Sequence, residues 1–184
     1  MSHVHIPVVI GTARAGRQSE LVAHAVAGVI NTREDATAEV VDVRDHVTEA
    51  VTVPPWGVGG ADEVPTAWRE IIERSQALIL VVPEYNHGYP GELKLLLDSL
   101  WDSYRDMPVG LVGVSAGTLG GARVVDHLKP VLLELKLQPI RDAVYFSDVK
   151  AAFNEDTTLK DEKMVEYIHH QTTTLVTAAN CHTG

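Results

Sequence analysis

Cysteine is nearly absent from this sequence: its 184 residues include one, Cys181, close to the end of the chain. One cysteine cannot form an internal disulfide bond, which excludes a disulfide-stabilised secreted domain and favours a reducing compartment. No apolar run approaches the ~20 residues of a membrane-spanning helix. The first residues also lack the basic and apolar segments of a secretory signal. We therefore expect a cytoplasmic protein that does not enter a membrane.

Positive charge is also scarce, since 15 Lys and Arg residues stand against 25 Asp and Glu residues, for a formal net charge of −10. Nucleic-acid-binding domains usually carry a basic face, so we expect no nucleic-acid partner. No set of His, Cys and carboxylate residues has the spacing of a metal site, and we expect no metal. The length suits a single domain over residues 1–184, with a loose tail after about residue 180.

Apolar and amphipathic segments alternate along the chain. Five segments have the composition of strands, at residues 4–10, 38–43, 77–82, 108–114 and 137–146. Five others have helical spacing, at residues 21–30, 65–75, 91–104, 122–135 and 161–179, with a kink expected at Pro130. A long irregular connection is expected at residues 44–64, which contain two adjacent prolines and several glycines. This alternation predicts a doubly wound α/β sheet with helices on both faces.

The segment around which the prediction is built is the third strand and the loop after it. Residues 77–82 are all apolar, which indicates a strand buried on both faces of a parallel sheet. Residues 83–91 follow, with prolines and glycines near both ends and Tyr85, Asn86, His87 and Tyr89 between them. Ligands of open α/β sheets bind at the carboxyl ends of strands. Composition alone leaves a ligand-binding loop and a rigid connector equally open.

The loop at residues 11–19 has the composition of a phosphate site. It contains two glycines and two hydroxyl residues and it opens a helix, whose free amides favour an anion. Arg14 and Arg17 add donors suited to phosphate oxygens. The loop matches neither the Walker motif nor the Gly-x-Gly-x-x-Gly dinucleotide motif. The alternative interpretation is a solvated loop with surface arginines.

These loops, with a third at residues 115–121, resemble those of the NADPH-dependent FMN reductase family. The matching segments are Pro83-Glu84-Tyr85-Asn86-His87-Gly88-Tyr89-Pro90-Gly91 with Leu93-Lys94 and Leu97-Asp98, Gly11-Thr12-Ala13-Arg14-Ala15-Gly16-Arg17, and Ser115-Ala116-Gly117-x-Leu119-Gly120-Gly121-Ala122-Arg123. The resemblance implies a flavodoxin-like, five-stranded parallel sheet of order 2-1-3-4-5. In that order the three loops meet at one edge of the sheet.

The resemblance further implies FMN as the cofactor and NADPH or NADH as the co-substrate. The residues implied for the FMN phosphate are Thr12, Arg14, Arg17, Gln18 and Ser19. Those implied for the ring are Pro83, Glu84, Tyr85 and Asn86, with backbone groups of residues 84–86 near flavin N5 and O4. Those implied for the pyrimidine edge are Ser115, Ala116, Gly117 and Gly120. No catalytic side chain is expected, because the flavin carries the chemistry.

Two functions from different classes fit these residues. The first is an FMN-dependent NAD(P)H oxidoreductase that passes hydride to FMN and on to a flavin, quinone, azo compound or similar small acceptor. The alternative is a flavodoxin-type electron carrier without NAD(P)H turnover, which the paired arginines disfavour. A weaker option is an α/β protein that binds a nucleotide or sugar phosphate without flavin.

A homodimer or homotetramer is also expected. On a helix over residues 91–104, one broad stripe is apolar and Leu95 lies on the opposite side. One face of a sheet cannot readily bury both sides of such a helix. The family resemblance implies the same assembly, with Tyr89 facing a neighbouring subunit.

Overall fold

The computed structural model of the protein describes residues 2–47 and 66–182. Its strands are β1 (Val4–Ile10), β2 (Ala36–Asp42), β3 (Leu78–Pro83), β4 (Pro108–Val114), β5 (Gln138–Pro139) and β6 (Val144–Phe146). Its helices are α1 (Ser19–Ile30), α2 (Thr66–Glu73), α3 (Gly91–Asp98), α4 (Ala122–Glu134) and α5 (Glu162–His182). Short 3-10 turns lie at Val43–Asp45, Asp102–Tyr104 and Val149–Ala151.

The strands form one parallel sheet in the order β2-β1-β3-β4-β5, which confirms the predicted flavodoxin-like topology. Every residue of β3 and β4 is buried, because helices cover both faces of the sheet. On one face the core is built with α1 and α5, and on the other with α2, α3 and α4. This layering explains why the central strands are continuous apolar runs rather than alternating ones.

The fifth strand position differs from the prediction of one strand over residues 137–146. β5 pairs with the beginning of β4 and β6 with its end, so the edge strand is interrupted at residues 140–143. The interruption is filled from α5: the side-chain amide of Gln171 donates to the carbonyl oxygens of Leu111, at 3.0 Å, and Asp142, at 2.7 Å. Gln171 is fully buried. Its amide gives the carbonyl oxygen of Leu111 in β4 the hydrogen bond that a continuous edge strand would have provided.

The helix predicted over residues 91–104 was wrong in its length. α3 ends at Asp98, and the chain turns back so that the buried hydroxyl of Tyr104 accepts a hydrogen bond from Trp68 Nε1 at 2.8 Å. Most of the apolar stripe is buried within the chain itself, through Leu93, Leu96, Leu97, Leu100 and Tyr104, whereas Trp101 is half-buried. Leu95, on the opposite side of α3, is half-buried, and the oligomeric state stays a prediction.

The carboxyl-terminal helix is longer than predicted. α5 continues to His182, so the exposed Cys181 lies on its last turn. Asn180, one residue earlier, accepts hydrogen bonds from the amide (3.2 Å) and hydroxyl (2.6 Å) of Ser2, which tie the two ends together. Pro65 and most of the predicted connection lie outside the described residues. Within residues 2–47 and 66–182, no helix has the length and apolar character needed to cross a membrane.

Candidate functional site

A cavity of about 390 Å³ opens where β1, β3 and β4 end. Three of its walls come from the three loops singled out in the sequence, and a fourth comes from the turn after β6. Its lining consists of Arg14, Ala15, Gly16, Arg17, Gln18, Ser19, Pro83, Glu84, Tyr85, Val114, Ser115, Ala116, Val149 and Lys150. The structure thus brings together residues that are far apart in the chain, within the usual volume range of a small-molecule site.

Four predicted site residues do not line this cavity. Thr12 is fully buried behind its loop, and Gly120 is buried against Tyr145 and Ser147. Asn86 and Gly117 are exposed on their loops. The remaining predicted residues all contribute to the cavity wall.

The first backbone amides of α1 are available to donate hydrogen bonds to an anion. The residue that precedes the helix, Gln18, makes no capping hydrogen bond through its side chain, so the first amides of the helix remain available. The hydroxyl of Ser19 is buried and has no hydrogen-bond partner within the described part of the chain. A buried hydroxyl without a partner, next to helix amides that are free to donate, can donate hydrogen bonds to the oxygens of a phosphate.

The two arginines of this loop have different environments. The Arg17 side chain is 2% exposed and forms a bidentate ion pair with Asp42, at the end of β2. Arg17 also donates to the Thr12 carbonyl oxygen at 2.5 Å and to Glu20 at 3.2 Å. Arg14 instead lies with its guanidinium 5.0 Å from the centre of the Tyr85 ring. Arg17 therefore stabilises the loop through its hydrogen bonds to Thr12 and Asp42. Arg14 is the arginine that is exposed to solvent.

The Arg17–Asp42 pair shifts the pKa values of both groups. Burial would raise the pKa of Asp42, but hydrogen bonds from Arg17 and Arg44 outweigh it and hold this pKa well below its usual value. The hydrogen bond with Asp42 raises the pKa of Arg17 against the opposing effect of burial. Both groups are thus charged at neutral pH, and Asp42 offsets much of the positive charge that the sequence assigned to a phosphate.

The loop after β3 forms a tight turn. The amide of Tyr85 donates to the Gly88 carbonyl oxygen at 3.0 Å, and the amide of Gly88 donates back at 2.9 Å. Asn86 and His87 have φ values of 51° and 68°, the left-handed pair of a type I′ turn. Because Glu84 donates its amide to Val114 at 2.9 Å, only the Asn86 amide remains unpaired among the three expected near the flavin, as far as the described residues show.

An ion pair joins this loop to the first turn of α4. Arg123 Nε donates to Glu84 Oε1 at 2.6 Å, and the other carboxylate oxygen of Glu84 is buried without a hydrogen-bond partner in the described residues. The loop after β4 turns through Gly120 and Gly121, which have φ values of 59° and 85°. These left-handed values favour glycine over any residue with a Cβ.

The chain matches a known family over most of its length. Residues 4–151 match the family model described as NADPH-dependent FMN reductase. The chain belongs to this family. An NAD(P)H-dependent FMN reductase of Pseudomonas aeruginosa is 34% identical over 111 residues, which cover 56% of this chain and 59% of that protein. The chain therefore spans about three fifths of that relative.

A second relative and a solved structure extend the match. A quinone reductase of Pseudomonas putida is 28% identical over 176 residues, which cover 88% of each protein. The structure of a flavoenzyme NAD(P)H:(acceptor) oxidoreductase from Paracoccus denitrificans superimposes with a TM-score of 0.77 and 20% identity, over 97% of this chain and 98% of that one. At that identity the superposition establishes the fold.

The residues of this FMN reductase family member fit FMN at the phosphate end of the cavity. The uncapped start of α1, the orphaned Ser19 hydroxyl and the exposed Arg14 provide donors and charge there. The unpaired amide of Asn86 and the exposed loop at Ala116 and Gly117 lie at the ends of the neighbouring strands. Backbone donors in such turns stabilise negative charge on a bound ring.

The site region includes residues outside the three loops that sequence reasoning did not single out. Val149 and Lys150 reach the cavity from the turn after β6, where no motif marks them. Glu92, in the first turn of α3, accepts hydrogen bonds from the Thr12 hydroxyl at 2.8 Å and the Ala13 amide at 2.7 Å. Its position next to Gly91 carries no pattern from which a contact with residues 12–13 could be predicted.

Proposed function

We propose that this protein is an FMN-dependent NAD(P)H oxidoreductase whose acceptor is a flavin, a quinone, an azo compound or a similar small molecule. Bound FMN would supply the redox chemistry, taking a hydride from NADPH or NADH and passing two electrons to the acceptor. The protein's part is to hold the ring at the mouth of the cavity and to exclude competing groups. The observation that carries this proposal is the family match over residues 4–151, together with the cavity formed by its three loops.

The residues proposed to bind FMN follow from their positions. For the phosphate we propose the first amides of α1 with Gln18 and Ser19, and Arg14 as the cation. Pro83, Glu84, Tyr85 and Asn86 would border the ring, and Ser115, Ala116, Gly117 and Gly120 would form the loop at its pyrimidine edge. Arg17 and Thr12 would support the phosphate loop, since their side chains are held by Asp42 and Glu92.

Activity separates this proposal from the electron-carrier alternative. Protein reconstituted with FMN is expected to oxidise NADPH or NADH in the presence of a quinone with kcat on the order of 1–10³ s⁻¹. The measurement is the decrease in nicotinamide absorbance, with both donors and a panel of flavin, quinone and azo acceptors. Free FMN at the same concentration serves as the blank. Tight FMN binding without NAD(P)H oxidation above this blank would support the electron carrier instead.

Arg14 provides a test of the phosphate assignment. The Arg14→Ala variant is expected to bind FMN roughly tenfold or more weakly, since a hydrogen bond to a charged group contributes ~1.5–3 kcal/mol. Its affinity for riboflavin, which lacks the phosphate, should change little. Quenching of flavin fluorescence measures both affinities, and Arg141→Ala, an exposed arginine outside the cavity lining, is the matched control. Equal losses for both flavins would remove the phosphate role of Arg14.

The oligomeric state and the cellular location that we expect from the sequence remain proposals. A homodimer or homotetramer is expected from the family resemblance, and light scattering at micromolar concentration measures the mass that decides it. A cytoplasmic location is expected from the scarcity of cysteine, and cell fractionation tests it.

A further inference from the structure

Glu92 contacts the phosphate-type loop through Thr12 and Ala13, which do not line the cavity. It lies in the first turn of α3, between Gly91 and Leu93, at a position that the family motif in this sequence passes over. Its carboxylate is not part of the cavity wall. The neighbouring Leu93 side chain also lies close to this loop: a Cβ placed on Gly11 would be 3.3 Å from it. The start of α3 therefore packs directly against the loop at residues 11–19.

One oxygen of Glu92 receives two donors from that loop. Oε1 lies 2.8 Å from the Thr12 hydroxyl and 2.7 Å from the Ala13 amide nitrogen. Thr12 Oγ1 in turn accepts from the Arg14 amide at 3.2 Å. Three consecutive residues are thus ordered by one carboxylate, immediately before the segment that lines the cavity.

We infer that Glu92 is a positioning residue for the FMN phosphate site: it holds residues 12–14 from behind, so that Arg14 and the first turn of α1 face the ligand. The inference rests on the proposed function and adds to it a residue that acts through the loop, without touching the cofactor. It also assigns the Thr12 hydroxyl to Glu92 and not to the phosphate. Thr12 is fully buried and lies outside the cavity lining, as this assignment requires.

The protonation state of Glu92 agrees with this role. Burial would raise its pKa, but hydrogen bonds from its own amide, the Ala13 amide and the Thr12 hydroxyl outweigh burial and lower the pKa. A charged acceptor makes stronger hydrogen bonds than a neutral one. An acidic residue in the first turn of a helix is also stabilised by the helix dipole.

Two variants at position 92 separate the effect of side-chain length from the effect of the negative charge. Glu92→Asp keeps the charge but shortens the side chain by one methylene, so the carboxylate no longer reaches Thr12 and Ala13. Glu92→Gln keeps the length and a carbonyl oxygen at the position of Oε1 but removes the charge. Each variant and the wild type are titrated, flavin-free, with FMN and with riboflavin, and the ratio of the two dissociation constants reports the contribution of the phosphate.

Positioning by Glu92 predicts that Glu92→Asp lowers the preference for FMN over riboflavin about tenfold, a factor that corresponds to about 1.4 kcal/mol. Glu92→Gln should stay within about threefold of the wild type, because both donors keep an acceptor. Asp98→Asn, on the same helix and paired with Lys94, is the control and should leave the ratio unchanged.

The opposite pattern overturns the inference. If the phosphate binds Thr12 directly and Glu92 competes for it, Glu92→Asp will bind FMN as tightly as the wild type or more tightly. A wild type that prefers FMN while both variants keep its ratio refutes the role of Glu92 alone. A wild type that binds neither flavin refutes the proposed function itself, which keeps the two failures distinct.

Discussion

The Asp42→Ala variant is expected to lose about 3 kcal/mol of unfolding free energy. Removing one partner of a buried ion pair leaves the other charge desolvated, which costs ~3–5 kcal/mol. The Arg17 side chain is 2% exposed and, among the residues that the structure describes, keeps Glu20 as its one ionic partner when Asp42 is removed, so the lower end of the range applies. Urea denaturation measures the loss, and Asp126→Ala, which breaks an exposed pair with Lys129, should change stability by less than about 0.5 kcal/mol.

The pH dependence of stability provides a second readout of this pair. The folded-state pKa of Asp42 is depressed, so its contribution is present above the unfolded value of about 3.9 and is lost as pH falls towards the folded value. Wild-type stability should therefore decrease below about pH 4 more steeply than that of Asp42→Ala. Parallel pH profiles for the two proteins would show that the pair contributes no net stability.

The Gly113→Ala variant is expected to lose about 3 kcal/mol, the upper part of the usual range for overpacking a core. A Cβ at this position in β4 would lie 2.5 Å from the Gly120 carbonyl oxygen and 3.1 Å from that of Gly121. Both neighbours are backbone atoms, so relief requires the loop after β4 to move. Because that loop borders the cavity, FMN binding should weaken along with stability.

Gly28→Ala is the matched control for this substitution. Gly28 is exposed in the last turn of α1, has no positive φ, and leaves open space within 4 Å of the position that a Cβ would take. Alanine is favoured over glycine within helices by roughly 0.5–1 kcal/mol, so this variant should be slightly stabilised. Thermal or urea denaturation of both variants tests the pair, and a destabilisation of equal size in each would contradict the steric argument.

Much of the fold could be predicted from local patterns. Uninterrupted apolar runs such as residues 77–82 indicate parallel strands covered on both faces, and the chain order of strands and helices limits the possible topologies. The strand order that the family resemblance implied places the loops that follow β1, β3 and β4 next to one another at the carboxyl edge, and they line one cavity. The strands and helices could be predicted because the sequence contains periodicity and chain order directly, whereas the order of the strands in the sheet was implied by the family resemblance and not by the alternation.

The remaining features depend on contacts between distant residues. The sequence shows that Arg17 is a cation beside the start of a helix, but its bidentate partner Asp42 lies at the end of β2. The break in the edge strand is stabilised by Gln171 of the last helix, and the chain after α3 turns back so that Tyr104 accepts a hydrogen bond from Trp68. Composition sets which charges and apolar groups are available, whereas folding selects their partners, since a hydrogen bond or ion pair depends on ångström-scale distances between segments.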